Sequence, residues 1–150
     1  MADIAHSDRA GARPLVCTAA GVVGAVFLVV GIAGFIPGLT THYSSMTFAG
    51  NDSGALLFGV FQVSILHNIV HLLFGVAGLA LARQVSSARW YLVGGGVIYL
   101  VLWLYGLITS NTSGANFVPF NSADDWLHFV LGVGMIALGM VFGRGAAARA

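Results

Sequence analysis

Four long apolar runs constrain this chain more than any other feature. They cover residues 15–36, 55–82, 90–108 and 126–142, and a helix needs about 20 such residues to cross a membrane. Lipid offers the backbone no hydrogen-bond partner, so only helices or closed barrels cross it, and barrel strands would alternate polar and apolar residues. Charged residues make up 7% of the chain, against about 25% in soluble domains. The runs therefore predict an all-α membrane protein with four transmembrane helices and exclude a soluble enzyme domain.

Every basic residue of the chain is an arginine, and four spans would put all the arginines on one side of the membrane. They lie before the first run, between the second and third, and after the fourth: Arg9, Arg13, Arg83, Arg89, Arg144 and Arg149. Cytoplasmic loops of membrane proteins are enriched in basic residues. We therefore expect a multi-pass protein of the plasma (inner) membrane, with cytoplasmic tails at residues 1–14 and 144–150 around a transmembrane domain at 15–143.

An internal repeat relates the second and fourth runs. A shift of 57 residues gives the pairs Ser64–Asn121, Asn68–Asp125, His71–His128 and Gly75–Gly132. Ser64 and Asn121 are favourable helix N-caps, and Asp124 suits the first turn of a helix. The repeat predicts two tandem helical hairpins in parallel arrangement, with residues 55–63 as a separate segment at the interface. The predicted spans are then residues 15–36, 65–82, 90–108 and 124–142.

Glycines at helical spacing mark the faces along which we expect the helices to pack. Small residues let membrane helices approach each other closely. The predicted packing residues are Gly24, Gly31, Gly75, Gly78, Gly132 and Gly139.

Polar residues gather near the outer ends of the second and fourth spans, where such groups normally face the protein interior. The predicted cluster consists of His67, Asn68, His71, Asp124, Asp125 and His128. One interpretation is structural, with His71 hydrogen-bonded to Asp125 and Asn68 to His128. A second is a metal or ligand site, because His67 and His71 at i, i+4 can share a metal with further ligands from the fourth span. A third is a proton-linked or quinone-type site, because histidine titrates near neutral pH.

Two segments of the chain resemble a known group of proteins. Residues 66–79 read LHNIVHLLFGVAGL and residues 121–136 read NSADDWLHFVLGVGMI, as in the bacterial four-span membrane proteins grouped as domain of unknown function 4383. The matching positions are His67, Asn68, His71, Gly75, Asn121, Asp124, His128 and Gly132. The chain departs from the pattern at Ser64 and Asp125, where asparagine is expected. The resemblance covers residues 15–142 and implies the architecture, but it implies no activity, substrate or cofactor.

No catalytic residue is predicted. We expect a polytopic membrane protein that is non-enzymatic and acts by association with itself or with another membrane protein. The alternative is a small metal-, haem- or quinone-binding membrane protein that uses the polar cluster, and a carrier or pore is a third possibility. No cofactor is expected, and the net charge of +1 gives no reason to expect a nucleic-acid partner. A single cysteine, Cys17, excludes an intramolecular disulfide.

Overall fold

Four helices form the body of the protein. The computed structural model describes residues 13–109 and 117–147, with side chains as far as Gly143. Arg9, Arg149 and the side chain of Arg144 thus lie outside the described residues. Three of the helices are long and apolar enough to cross a membrane, the last of them over residues 122–143. The chain is therefore a membrane protein. The helices are α1 (Leu15–Ala33), α2 (Ile65–Leu81), α3 (Val85–Ile108) and α4 (Ser122–Ala147).

The helices pack mainly as two antiparallel pairs, α1 with α2 and α3 with α4. Glycines allow this close approach. Each of the six glycines predicted to pack would place a Cβ within 3.0 Å of an atom of another helix. A Cβ on Gly24 would lie 2.9 Å from Leu79 N and 3.0 Å from Gly75 O, which are backbone atoms of α2. The interface between α1 and α2 therefore brings the two backbones into contact.

Several helix ends differ from the apolar boundaries of the predicted spans. α3 begins at Val85, five residues before the predicted span, because its first turn uses polar residues. Ser87 Oγ donates to Leu81 O at 2.8 Å, which satisfies a carbonyl at the end of α2. α1 ends at Ala33, and a turn follows in which Thr40 Oγ1 donates to Ala33 O at 3.2 Å.

A small sheet lies between α1 and α2 in the chain. Its strands, β1 (Thr40–Thr41), β2 (Leu56–Leu57) and β3 (Phe61–Gln62), are antiparallel and follow that order. The β2–β3 connection contains Gly59, whose φ of 72° suits a residue without a side chain. A buried apolar cluster that includes Ala33 and Val63 lies against the sheet. The predicted segment 55–63 is therefore separate from α2 and contains strands, which the sequence analysis did not predict.

Candidate site at the histidine end of the bundle

The polar residues lie at the end of the bundle where α2 and α4 begin and α1 and α3 end, called here the histidine end. α2 begins at Ile65, and Ser64 Oγ accepts a hydrogen bond from His67 N at 3.1 Å. In α4, Asn121 Oδ1 accepts from Asp124 N at 3.0 Å. These hydrogen bonds satisfy backbone N–H groups that have no partner inside the helix. These side chains fix where α2 and α4 begin. They thereby fix the depth of the histidines, which follow within the first two turns of each helix.

Asp124 ties the start of α4 to the small sheet. Its Oδ2 accepts from Asn121 N at 3.1 Å, which completes a reciprocal cap, and from Gln62 N of β3 at 3.0 Å. The side chain is 1% exposed. Asp124 is therefore engaged in holding the sheet on α4, and its bound oxygen is directed at backbone N–H groups.

Two of the histidines have a defined tautomer in their neutral form. His71 Nδ1 lies 3.0 Å from His67 O, and His128 Nδ1 lies 2.6 Å from Asp124 O. A carbonyl oxygen can only accept, so Nδ1 of each ring carries the proton. Nε2 of each neutral ring is then a hydrogen-bond acceptor. Both rings thus direct an acceptor away from the helix that carries them.

Aromatic contacts join the histidines of α2 and α4. His67 and His71 stack with ring centroids 4.3 Å apart, and the centroid of His67 lies 6.5 Å from that of His128. His128 stacks on Tyr99 of α3 at 5.2 Å and meets the edge of Phe120 at 4.8 Å. The three imidazoles therefore belong to one aromatic cluster, the histidine cluster, in which Tyr99 and Phe120 fix His128.

Two cavities flank the histidine cluster, and all three histidines line both of them. The first, of about 260 Å³, lies between α2, α3 and residues 117–120, and its other walls are mostly apolar. The second, of about 200 Å³, lies between α1, the sheet, α2 and α4. Among the described residues, the fully buried side-chain polar atoms without a partner are Trp103 Nε1 and Asp125 Oδ1. No ring nitrogen of the three histidines is among these two atoms.

Asn68 and Asp125 point away from the histidine cluster. Asn68 faces α1: its Nδ2 lies 3.9 Å from Met46 Sδ, and a Cβ on Gly34 would overlap its Oδ1. Asp125 faces α3 in the same way, against Gly106. The hydrogen-bonded pairs predicted from the sequence, His71 with Asp125 and Asn68 with His128, are therefore wrong. The polar residues span an arc of about 100° on each helix, and such an arc faces two neighbouring helices. Gly34, directly after α1, leaves space for the Asn68 amide, and Gly106 of α3 leaves space for the Asp125 carboxylate.

The arrangement gives little support to a metal centre. Within residues 13–109 and 117–143, no group of three or more histidine, cysteine, aspartate or glutamate side chains is placed to hold a metal ion. His67 and His71 stack at an interplanar angle of 8°.

Tyr99 and Phe120 are the site residues that the sequence analysis missed. The ring of Tyr99 lines the first cavity beside His128. A signal was present in the sequence: Phe27 and Tyr99 hold corresponding places in the first helix of each pair, three residues after Gly24 and Gly96. Each ring meets a histidine, Phe27 meeting His71 at 5.4 Å.

Comparison with known proteins gives one match. Neither the curated proteins nor the solved structures contain a significant match to the chain. The family described as Domain of unknown function (DUF4383) matches residues 18–141, which include α2, α3, most of α1 and α4, and the whole histidine cluster. The chain therefore belongs to that family.

Proposed function

We propose that this membrane protein binds a small membrane-soluble ligand that carries a hydroxyl group, such as a phenol or a quinol. The observation that carries the proposal is that His71 and His128 line an apolar cavity while their Nδ1 atoms are bound to backbone carbonyls, which makes Nε2 of each neutral ring an acceptor. A hydrogen-bond acceptor in the protein pairs with a hydrogen-bond donor on the ligand. The reduced, hydroxyl-bearing form of a quinone meets that need, whereas the oxidised form offers carbonyl acceptors.

The first cavity has the size and the walls for an aromatic ring. A dry cavity of about 150 Å³ lined by aliphatic and aromatic side chains can hold benzene, and this cavity has about 260 Å³. Phe74 and Tyr99 contribute aromatic rings to its lining, and the histidines offer polar groups of the kind that fix the orientation of a ligand in such pockets. Polar side chains inside a membrane are costly and are retained where they have a function.

Association with another membrane protein, which the sequence analysis placed first, stays a prediction. The ligand-binding alternative has the stronger structural support, because the cavity and its acceptors are formed by one chain. Within that alternative, the mostly apolar walls of the cavity favour a hydroxyl-bearing organic ligand over a metal ion.

Binding of 1-naphthol tests the proposal, with 1-methoxynaphthalene as the matched ligand that cannot donate. Calorimetric titration of the protein in lipid nanodiscs, with empty nanodiscs as the blank, gives both affinities. Losing one hydrogen bond of about 1 kcal/mol should weaken binding about fivefold. Equal affinities for the two ligands, or heat no larger than that of the blank, would refute the proposal.

His128→Phe separates the acceptor from the ring. Phenylalanine keeps the aromatic contact with Tyr99 but removes Nε2, so 1-naphthol should bind this variant as weakly as the methyl ether does. His42→Asn is the control, because His42 is exposed, lies outside both cavities and has a φ of 48° that asparagine tolerates. Unchanged preference for naphthol in a folded His128→Phe variant would contradict the assigned role.

We also propose that all four helices cross the inner membrane of a bacterium, with both termini in the cytoplasm. α2 has 17 residues, or about 26 Å at 1.5 Å per residue, close to a hydrocarbon core of about 30 Å. Arg13 Nη2 donates to Ala82 O at 3.2 Å, so an arginine before α1 lies at the end of α2 opposite the histidines. Reporter fusions after Ala150 and within residues 40–50 should report inside and outside respectively; an outside terminus would refute this topology.

The tandem repeat is part of the same proposal, and equivalent contacts in the two helix pairs support it. A shift of 57 residues relates α2 to α4, and a shift of 72 residues relates α1 to α3. By these shifts, the contact of Gly24 with Gly75 corresponds to the contact of Gly96 with Gly132. The overlaps of Asn68 with Gly34 and of Asp125 with Gly106 correspond by the same shifts, as do the rings of the histidines with Phe27 and Tyr99.

A further inference from the structure

An apolar groove between α2 and α3 continues from the first cavity toward the opposite end of the bundle. It encloses about 500 Å³ and ends near Leu81 and Trp90. Phe74 and Ile98 line both the groove and the histidine cavity, so the two recesses are adjacent. From His67 to Leu81 the path is 14 residues of helix, or about 21 Å. That length exceeds half of a hydrocarbon core of about 30 Å.

The groove is lined almost entirely by apolar groups. The one hydroxyl among its lining residues belongs to Tyr91, and it is used, because Tyr91 Oη donates to Phe74 O at 3.1 Å. Small residues leave the space open: Ala77 lines the groove, and a Cβ on Gly94 would meet no atom within 4 Å. Trp90, at the far end, is 75% exposed, as suits an indole at a membrane interface.

We propose that the groove holds the apolar tail of the ligand whose hydroxyl-bearing ring occupies the histidine cavity, which makes that ligand a long-chain phenol or quinol. This inference rests on the proposed function. The adjacency of the two recesses, which share Phe74 and Ile98, favours one occupant that spans both. A ring with a linear hydrocarbon chain has that shape. A helix of a second copy is about 10 Å across. It could cover the groove, but it would be too wide to enter the histidine cavity.

Gly94→Leu fills the groove, and Gly134→Leu is its matched control. Gly134 lies in α4, outside the groove, and a Cβ there also meets no atom within 4 Å. The probe is 1-naphthol with a dodecyl chain that ends in a photoreactive diazirine, added to the full-length protein in nanodiscs. Peptide mass spectrometry after illumination locates the end of the chain.

Labels should concentrate on residues 73–81 and 90–98 of the wild-type chain. Gly94→Leu should displace the labels and weaken binding of the long-chain probe at least about threefold, the effect of losing a few van der Waals contacts. It should leave the affinity for tailless 1-naphthol unchanged. Gly134→Leu should change neither quantity.

The outcomes separate this inference from the proposed function. If tailless naphthol binds but the chain labels all lipid-facing helix surfaces equally, the groove is not the tail site and the inference fails alone. If tailless naphthol does not bind, both proposals fail. If Gly94→Leu converts an oligomer into a monomer and leaves the labels in place, a second copy covers the groove and the inference is wrong.

Discussion

Gly24→Ala tests how far the first helix pair depends on backbone contact. The added Cβ would lie 2.9 Å from Leu79 N and 3.0 Å from Gly75 O, atoms that move only if α2 moves. Overpacking of this kind costs about 1–3 kcal/mol, while alanine gains about 0.5–1 kcal/mol over glycine inside a helix. The variant should therefore lower the free energy of unfolding by an amount of up to about 2.5 kcal/mol.

Gly134→Ala is the control for the helix-propensity gain. Its Cβ would enter open space, so alanine should be neutral or stabilising there. Because both variants change glycine to alanine inside a helix, their difference isolates the overpacking cost of about 1–3 kcal/mol. The assay is reversible unfolding in mixed micelles by added dodecyl sulfate, followed by circular dichroism. Equal stability of the two variants would refute the argument from backbone contact.

Gly96→Ala extends the test to the second helix pair. Its Cβ would lie 2.7 Å from Gly132 O and 3.0 Å from Ile136 N, again backbone atoms. If the two pairs are copies of one unit, Gly96→Ala should also lower the free energy of unfolding by an amount of up to about 2.5 kcal/mol, and stability equal to that of Gly134→Ala would contradict this.

Three side chains that form hydrogen bonds give further predictions for the same unfolding assay. Ser64→Ala removes the cap of α2 and should lower the free energy of unfolding by about 1 kcal/mol; no loss would mean that water replaces the hydroxyl. Asp124→Ala should cost about 1–3 kcal/mol and speed hydrogen exchange at Gln62 N–H, and unchanged exchange would contradict its link to the sheet. Tyr91→Phe removes a hydrogen bond between α2 and α3 and should cost about 0.6 kcal/mol, whereas a loss above about 2 kcal/mol would indicate a larger role.

The start of α2 could be predicted from sequence because a cap is a local signal. Ser64 is a favourable N-cap at the position that the repeat gives for Asn121, and the hydroxyl needs only the N–H three residues later. The glycine faces were predictable for a related reason, since small residues recur at helical spacing wherever two membrane helices meet closely.

The partners of the polar side chains could not be predicted, because they depend on the neighbouring helix. Asn68 directly follows His67 in the sequence, so the two side chains leave the helix at directions about 100° apart. That rotation directs Asn68 to α1, whereas His67 lines the cavities. A periodicity argument groups both residues on one polar face, and the position of Gly34 decides between them only after α1 is in place.

The small sheet was missed for a different reason. Each of its strands has two residues, which is too short for an alternating pattern to be recognised. Its position is set by distant partners, such as the Asp124 carboxylate that accepts from Gln62 N. Such contacts, formed between residues far apart in the chain, leave no periodic trace in the sequence.

Corresponding positions of the two helix pairs carry different chemistry at His67 and Asp124. A protein with two identical pairs would present any ligand with two equivalent sets of groups and hence two equivalent poses. Here one position supplies an imidazole that faces the cavities, and the other supplies a carboxylate committed to Asn121 and Gln62. The flanking cavities differ in volume, about 260 Å³ against about 200 Å³. The contrast between His67 and Asp124 makes the two sides of the histidine end chemically unlike, so a molecule held there would meet different groups on each side.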